Sequence, residues 1–311
     1  MRASPDINHR RPRRAFSLLE LLISITILAV MLLIFSNIYS HASRAWISGE
    51  GNAERRRSAR ALADFIGAEL QEALLPVEGN DPKTHGNLQF IVNPSQLSND
   101  YGNTDAIFWQ SPLATEKTYG DIAEIGYFVK WDQNTPVLCR FFVNPSLMSG
   151  GNIVPNPNFL IYDTDPQKWI TTAVVDQIVR PTDKAQGYKG LFAENVLGLW
   201  IRCYGLDGKE LPRNFDSRTG YDYALPTAAG PVTVKRRLPA SVRVSLAQLD
   251  WRSAKKLPPA ADQVRQIVKS SVDASDFLAQ FQTKANGVPT LAALLPGLRI
   301  YSTEVSLRNS R

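Results

Sequence analysis

Residues 13–30 read RRAFSLLELLISITILAV, and the carboxylate of Glu20 inside this otherwise apolar stretch decides how the chain is read. The apolar run extends from Leu18 to Phe35 and is interrupted only by Glu20, Ser24 and Thr26. As a helix rising roughly 1.5 Å per residue it covers about 27 Å, close to the hydrocarbon thickness of a bilayer. A charge at mid-membrane costs about 2.5–3.5 kcal/mol even on the lenient insertion scale. Glu20 lies near one end, which lowers that cost, but the carboxylate still calls for a partner. No basic residue lies within the run, so the partner comes from outside the segment.

Toward the N-terminus, the charge is local. The chain has 311 residues and a net charge of +6. Residues 1–15 hold Arg2, Arg10, Arg11, Arg13 and Arg14 against Asp6, which is +4 and leaves +2 for the remainder. The overall basicity therefore does not point to nucleic acid. A basic cluster directly before an apolar run is retained in the cytoplasm by the positive-inside rule, which puts everything after about Tyr39 across the membrane. With 44% apolar residues, six Trp and thirteen Phe, the rest of the chain can bury a sizeable core. In a compartment that permits disulfides, Cys139 and Cys203, each on an apolar strand face, can pair across a sheet; otherwise they are two buried free thiols.

Toward the C-terminus, helix-compatible residues continue to about Trp46, and the SGEGN stretch at 48–52 is a weak point. Leu62, Phe65, Ile66, Leu70, Ala73 and Leu74 then recur at spacings of three and four, and Pro76 ends the pattern. Beyond it the period changes to two. Strands are predicted at 123–131, 137–143, 196–205, 238–250 and 298–307, with DQNTP as a hairpin loop and a helical region at about 260–284. The fold class is α+β: a long N-terminal membrane-spanning helix, with its span at about 18–38, packed on an antiparallel sheet. The segments are a basic leader at 1–15, the helix at 16–75 and a β-rich head at 76–311.

Basic residues, then Ala15, then Phe16-Ser17-Leu18-Leu19-Glu20 and an apolar helix resemble the prepilin processing signal of the type IV pilin and type II pseudopilin superfamily. The resemblance implies cleavage between Ala15 and Phe16 by a prepilin peptidase, followed by methylation of the new amino terminus. Gly is more usual before the cut, so Ala15 departs from the pattern. The resemblance also supplies the missing partner: with helices stacked at an axial offset, Glu20 of one subunit meets the Phe16 amine of its neighbour. The implied role is assembly, in a pilin-like structural subunit of a type II secretion or type IV pilus-like filament. Its implied partners are the prepilin peptidase, other pilin or pseudopilin subunits, an inner-membrane assembly platform and membrane lipid, with no nucleic acid. The implied location is a single pass of the inner membrane, N-terminus cytoplasmic and head periplasmic. A head of this size is similar to those of the larger minor pseudopilins, such as the J-type subunit. LFAENVLGLWIRCYG, RRLPASVRVSLAQLD and LRIYSTEVSLRNS are also similar to the pilin-like cassette C proteins of the Verru_Chthon type.

Other readings of the same residues remain. A secretory signal peptide would be cut near Ser40-His41-Ala42, although Glu20 is out of place in its apolar core. A simple uncut anchor leaves Glu20 unexplained. Enzyme chemistry finds little support: His9, His41 and His85 lie at no metal-ligand spacing, and no nucleophile or phosphate-loop motif has its needed context. No cofactor is implied. Asp81, Asp163 and Asp165 read as turn residues before they read as Ca²⁺ ligands. Arg55, Arg56 and Arg57, like Lys235, Arg236 and Arg237, read as solvated faces; a DNA-capturing or adhesive head would use Arg236 and Arg237.

Overall fold

The computed structural model describes residues 18–76, 87–97, 104–132, 134–179, 190–224, 231–234 and 237–310, with the backbone alone at 20, 21, 24, 37, 38, 40–59, 190, 191, 223, 224 and 231–234. Two compact units divide the chain, Met1–Arg57 and Ser58–Arg311. The first helix, α1 (Leu18–Gln71), runs unbroken through the glycines at 48–52 and contributes to both. It ends at Gln71, five residues before the predicted stop at Pro76. The reason is tertiary: the Leu74 N–H donates to the Gln110 carbonyl at 2.9 Å, so the chain has already left the helix to lie along a strand.

Within the second unit the period-two segments become strands. β1 (Phe90–Val92), β2 (Ile107–Ser111), β3 (Ala123–Asp132), β4 (Thr135–Val143) and, beyond a short hairpin of β5 (Ser146–Ser149) and β6 (Asn152–Pro155), β7 (Gly190–Glu194) supply a five-stranded sheet in the order β1-β2-β3-β4-β7. The predicted DQNTP turn closes the β3–β4 hairpin, with Asp132 opposite Thr135. α2 (Thr172–Ile178) lies between β6 and β7 in sequence. A second hairpin, β9 (Tyr221–Ala224) with β10 (Pro231–Val234), follows β8 (Val196–Tyr204). β8 belongs to a three-stranded sheet in the order β12-β11-β8, with β11 (Ser241–Leu249) and β12 (Leu298–Ser306). Every pairing among the described strands is antiparallel.

A residue left unpaired in β8 shows how the sequence reaches its packing. Ala247 faces Gly198 and Gln248 faces Val196, so Leu197 is bulged out. The extra residue shifts the alternation by one. Val196 and Leu199 therefore point into the same core, while Leu197 and Trp200 point into the other. Gly198 is required there, because a Cβ would come within 2.6 Å of the Trp200 ring.

Three buried layers result. One lies between the two sheets and takes Ala63, Ile66 and Leu70 of α1. The outer face of the three-stranded sheet packs on α4 (Ala261–Ser270) and α5 (Ala274–Ala285), which follow α3 (Trp251–Ala254); α6 (Pro289–Ala292) adds Leu291. The single helical region predicted at 260–284 is thus two helices. Asp273 divides them as an N-cap, its carboxylate accepting from the Ser275 and Asp276 N–H groups at 2.8 Å. The outer face of the five-stranded sheet is covered by Trp169, Ile170 and the α2 residue Val175.

Candidate assembly site on the N-terminal helix

The two ends of α1 have opposite surroundings. Every described side chain from Leu18 to Ser36 is exposed, including Leu18 at 86%, Leu33 at 67% and Phe35 at 68%. Residues 25–36 are all exposed, so more than three turns present apolar side chains in every direction. A helix apolar all round is stable only inside lipid or among other helices. The Thr26 hydroxyl is already satisfied by donating to the Ile23 carbonyl at 2.8 Å. Among the described residues no helix is long and apolar enough to cross a membrane. The side chains of Glu20, Leu21 and Ser24, inside the apolar run, lie outside that set, as do Ala15 and Phe16 altogether.

The last turns of α1, in the second unit, are held by a buried ion pair. Ile66, Glu69, Leu70 and Ala73 follow at spacings of three and four, which brings them to one face. Glu69 and Arg140 of β4 are 7% and 3% exposed. The Arg140 Nη2 bonds Glu69 Oε1, its Nε donates to Glu69 Oε2 at 3.2 Å, and the Tyr127 hydroxyl donates to the same oxygen. Arg140 Nε also lies 3.1 Å from the Tyr127 oxygen. The guanidinium stacks 4.2 Å from the Phe142 ring centroid. Burial, and next the negative charge of Glu69, push the Tyr127 phenol well above its usual range. Two further contacts clamp the helix end: Arg308 pairs with Glu72, and Asn309 donates to the Ala73 carbonyl at 2.8 Å. Sequence reading passed over this cluster. Its only local signal is an acidic residue in the buried stripe of the helix; Arg140 lies 71 positions away.

The family model described as the prokaryotic N-terminal methylation motif matches residues 10–36, the segment that leads into the exposed apolar turns of α1. Residues 10–36 thus carry a prepilin-type N-terminal motif. Pilin-like proteins with a prepilin motif are processed by a peptidase and associate with other pilin subunits. The motif implies an N-terminal membrane-anchoring region. No curated protein matches the chain. Among solved structures, a type IV-like pilin from Thermus thermophilus is similar at 12% identity and a TM-score of 0.32, over 83% of this chain and 99% of that one.

The other candidate residues are dispersed. Cys139, with Val137 and Phe141, points into the layer beneath α2, whereas Cys203, with Leu199 and Ile201, points between the sheets. Of the two alternatives, pairing across a sheet or two free thiols, the structure has the second: the two faces belong to different layers, and both thiols are free and buried. Asp163 and Asp165 are turn residues. The Lys168 ammonium donates to Asp163 at 2.8 Å, and each carboxylate accepts a backbone N–H two residues on, at 3.0 Å. No group of three or more metal-ligand side chains occurs among the described residues. Asp81, His9 and His85 lie outside the described residues, as do Lys235 and Arg236, and the side chains of His41, Arg55, Arg56 and Arg57 are not described.

Proposed function

We propose that this chain is a minor-pseudopilin-type subunit of a type II secretion or type IV pilus-like filament, with sub-family similarity to the Verru_Chthon cassette C proteins. The leader 1–15 is removed at Ala15–Phe16 and Phe16 is methylated. The span at about 18–38 holds the subunit in the inner membrane, with its head in the periplasm, until an assembly platform moves it into the filament. Glu20 sets the axial register by pairing with the Phe16 amine of a neighbouring subunit. This pair offsets the cost of leaving either charge in an apolar bundle. The observation that carries the reading is the motif match over residues 10–36 running into a helix that is apolar on all sides. The long N-terminal helix, which ends at Gln71, docks through its last turns on a head that begins in the chain at about residue 76.

Mass spectrometry of the mature N-terminus from native membranes tests the processing. A chain that starts at Phe16 with one added methyl supports it. A start near Ser43, or an uncut Met1, overturns it. Glu20→Ala tests assembly: the variant stays in the membrane but is lost from the filament, and its normal co-purification with partner subunits would refute the role of Glu20.

A further inference from the structure

On the outer face of the five-stranded sheet, three buried polar side chains stand together under one segment. Glu124 on β3 is 0% exposed, Gln110 beside it on β2 is 1% and Gln89 is 2%. The Gln89 N–H donates to Gln110 Oε1 at 2.7 Å, which fixes the orientation of that amide. Residues 156–167 cross over them as a strap. The Leu160 N–H donates to Glu124 Oε1 at 3.2 Å, Gln89 Nε2 donates to the Pro166 carbonyl, and the Asn87 N–H donates to the Ile161 carbonyl at 2.9 Å. Glu124 Oε2, Gln110 Nε2 and Gln89 Oε1 have no hydrogen-bond partner among the described residues.

We infer that Glu124 is a proton-operated latch for the strap 156–167: with the carboxyl neutral the strap stays closed over the sheet, and loss of the proton releases it. A neutral carboxyl carries one O–H donor into a layer that holds the unpaired Gln89 Oε1, and keeps an oxygen that can accept from Gln110 Nε2 on the neighbouring strand. A carboxylate brings only acceptors, in a dry layer, at a heavy desolvation cost.

Among the described residues no charge nearby relieves that cost. β2 and the Asn87–Gln89 segment carry no charged residue. On β4, Arg140 serves the opposite face at Glu69, and Cys139 is a buried neutral thiol. In and beside the strap, Asp163 is paired with Lys168, and Asp165 caps its own turn. Farther along, Lys130 of β3 pairs with Asp176 of α2 at 2.5 Å, and Asp216, which accepts from Gln167, pairs with Arg218 at 2.6 Å. Burial accordingly pushes the Glu124 carboxyl well above the usual carboxylate range, with only the Leu160 N–H acting against it.

The direction follows from linkage. The closed strap holds the proton, and the open strap returns Glu124 to water and to its ordinary acidity. Above that ordinary value opening grows about tenfold per pH unit, until the closed form also ionises. The latch does not depend on the assembly role.

Hydrogen exchange on the full-length chain in mild detergent, at about pH 5, 6.5 and 8, tests this inference. After correction for intrinsic exchange, the protection of the Leu160 and Asn87 amides falls about tenfold per pH unit and stays below that of Val244 in β11. In Glu124→Gln, whose amide mimics the neutral acid, strap protection is independent of pH. The same slope in the variant, or strap and Val244 protection that coincide at every pH, would overturn the latch. Should the variant fail to fold, infrared titration of the wild-type chain decides. A protonated-carboxyl band that persists at about pH 7 supports the latch, and its absence refutes it.

Discussion

Arg140→Met leaves the Glu69 carboxylate buried with the Tyr127 hydroxyl as its remaining partner. Breaking a buried ion pair from one side costs about 3–5 kcal/mol, because the surviving charge has lost both water and counter-charge. Glu69→Leu strands the Arg140 guanidinium in the same way and costs a similar amount. If the two losses were independent, the double variant would lose about 6–10 kcal/mol, most or all of an ordinary domain's stability. It does not, because its apolar side chains have no charge to desolvate. Its main penalty is the partnerless Tyr127 hydroxyl, about 1–3 kcal/mol, which Tyr127→Phe removes. The coupling between positions 69 and 140 is therefore at least about 3 kcal/mol. Urea titration of the full chain in mild detergent reads it through tryptophan fluorescence, since Trp109 stacks 5.9 Å from Tyr127. Single losses that add to within about 0.5 kcal/mol would show that the pair does not act as a unit.

Three further outcomes follow from packing, capping and burial. Gly126→Ala sets a Cβ 2.3 Å from the Phe108 ring, which Phe128, Phe141 and Trp169 hold at centroid distances of 5.7–6.2 Å. It lowers stability by about 1–3 kcal/mol in the same titration, and an unchanged midpoint contradicts the packing. Asp273→Ala frees two N–H groups of α5 and costs about 1 kcal/mol, with faster amide exchange in that helix; unaltered exchange would remove the cap from the account. Burial pushes the Cys139 thiol up to about 12, and Cys203 is raised further, so neither forms thiolate near neutrality. Maleimide at about pH 8 labels both cysteines only after unfolding, and the stability that their burial protects is lost as pH climbs from the ordinary value of about 8.5 toward 12.

The strands 123–132, 135–143, 196–204, 241–249 and 298–306 were legible because alternation and β-branched content are local properties. The division at Asp273 was legible in principle, since an aspartate ahead of a helical stripe is a cap signal. Other features were not. The end of α1 at Gln71 depends on a backbone bond to Gln110, and the ion pair of Glu69 depends on a residue in the middle of the sheet. The separation of Cys139 from Cys203 required knowing that two strands with similar patterns belong to different sheets. Glu124 reads in sequence as an ordinary charge at the start of a strand.

By itself, then, the sequence determined what needs only neighbours along the chain. That includes the basic cluster, the apolar run with Glu20, the helical stripe and the alternating strands. Tertiary structure decided which faces meet. It buried Glu69 against Arg140, set Cys139 and Cys203 in separate layers and closed a strap over Glu124. The physical reason is common to all three. Desolvation and pairing energies depend on what lies across a few ångströms of space, and residues tens of positions apart come that close only after the sheets have formed.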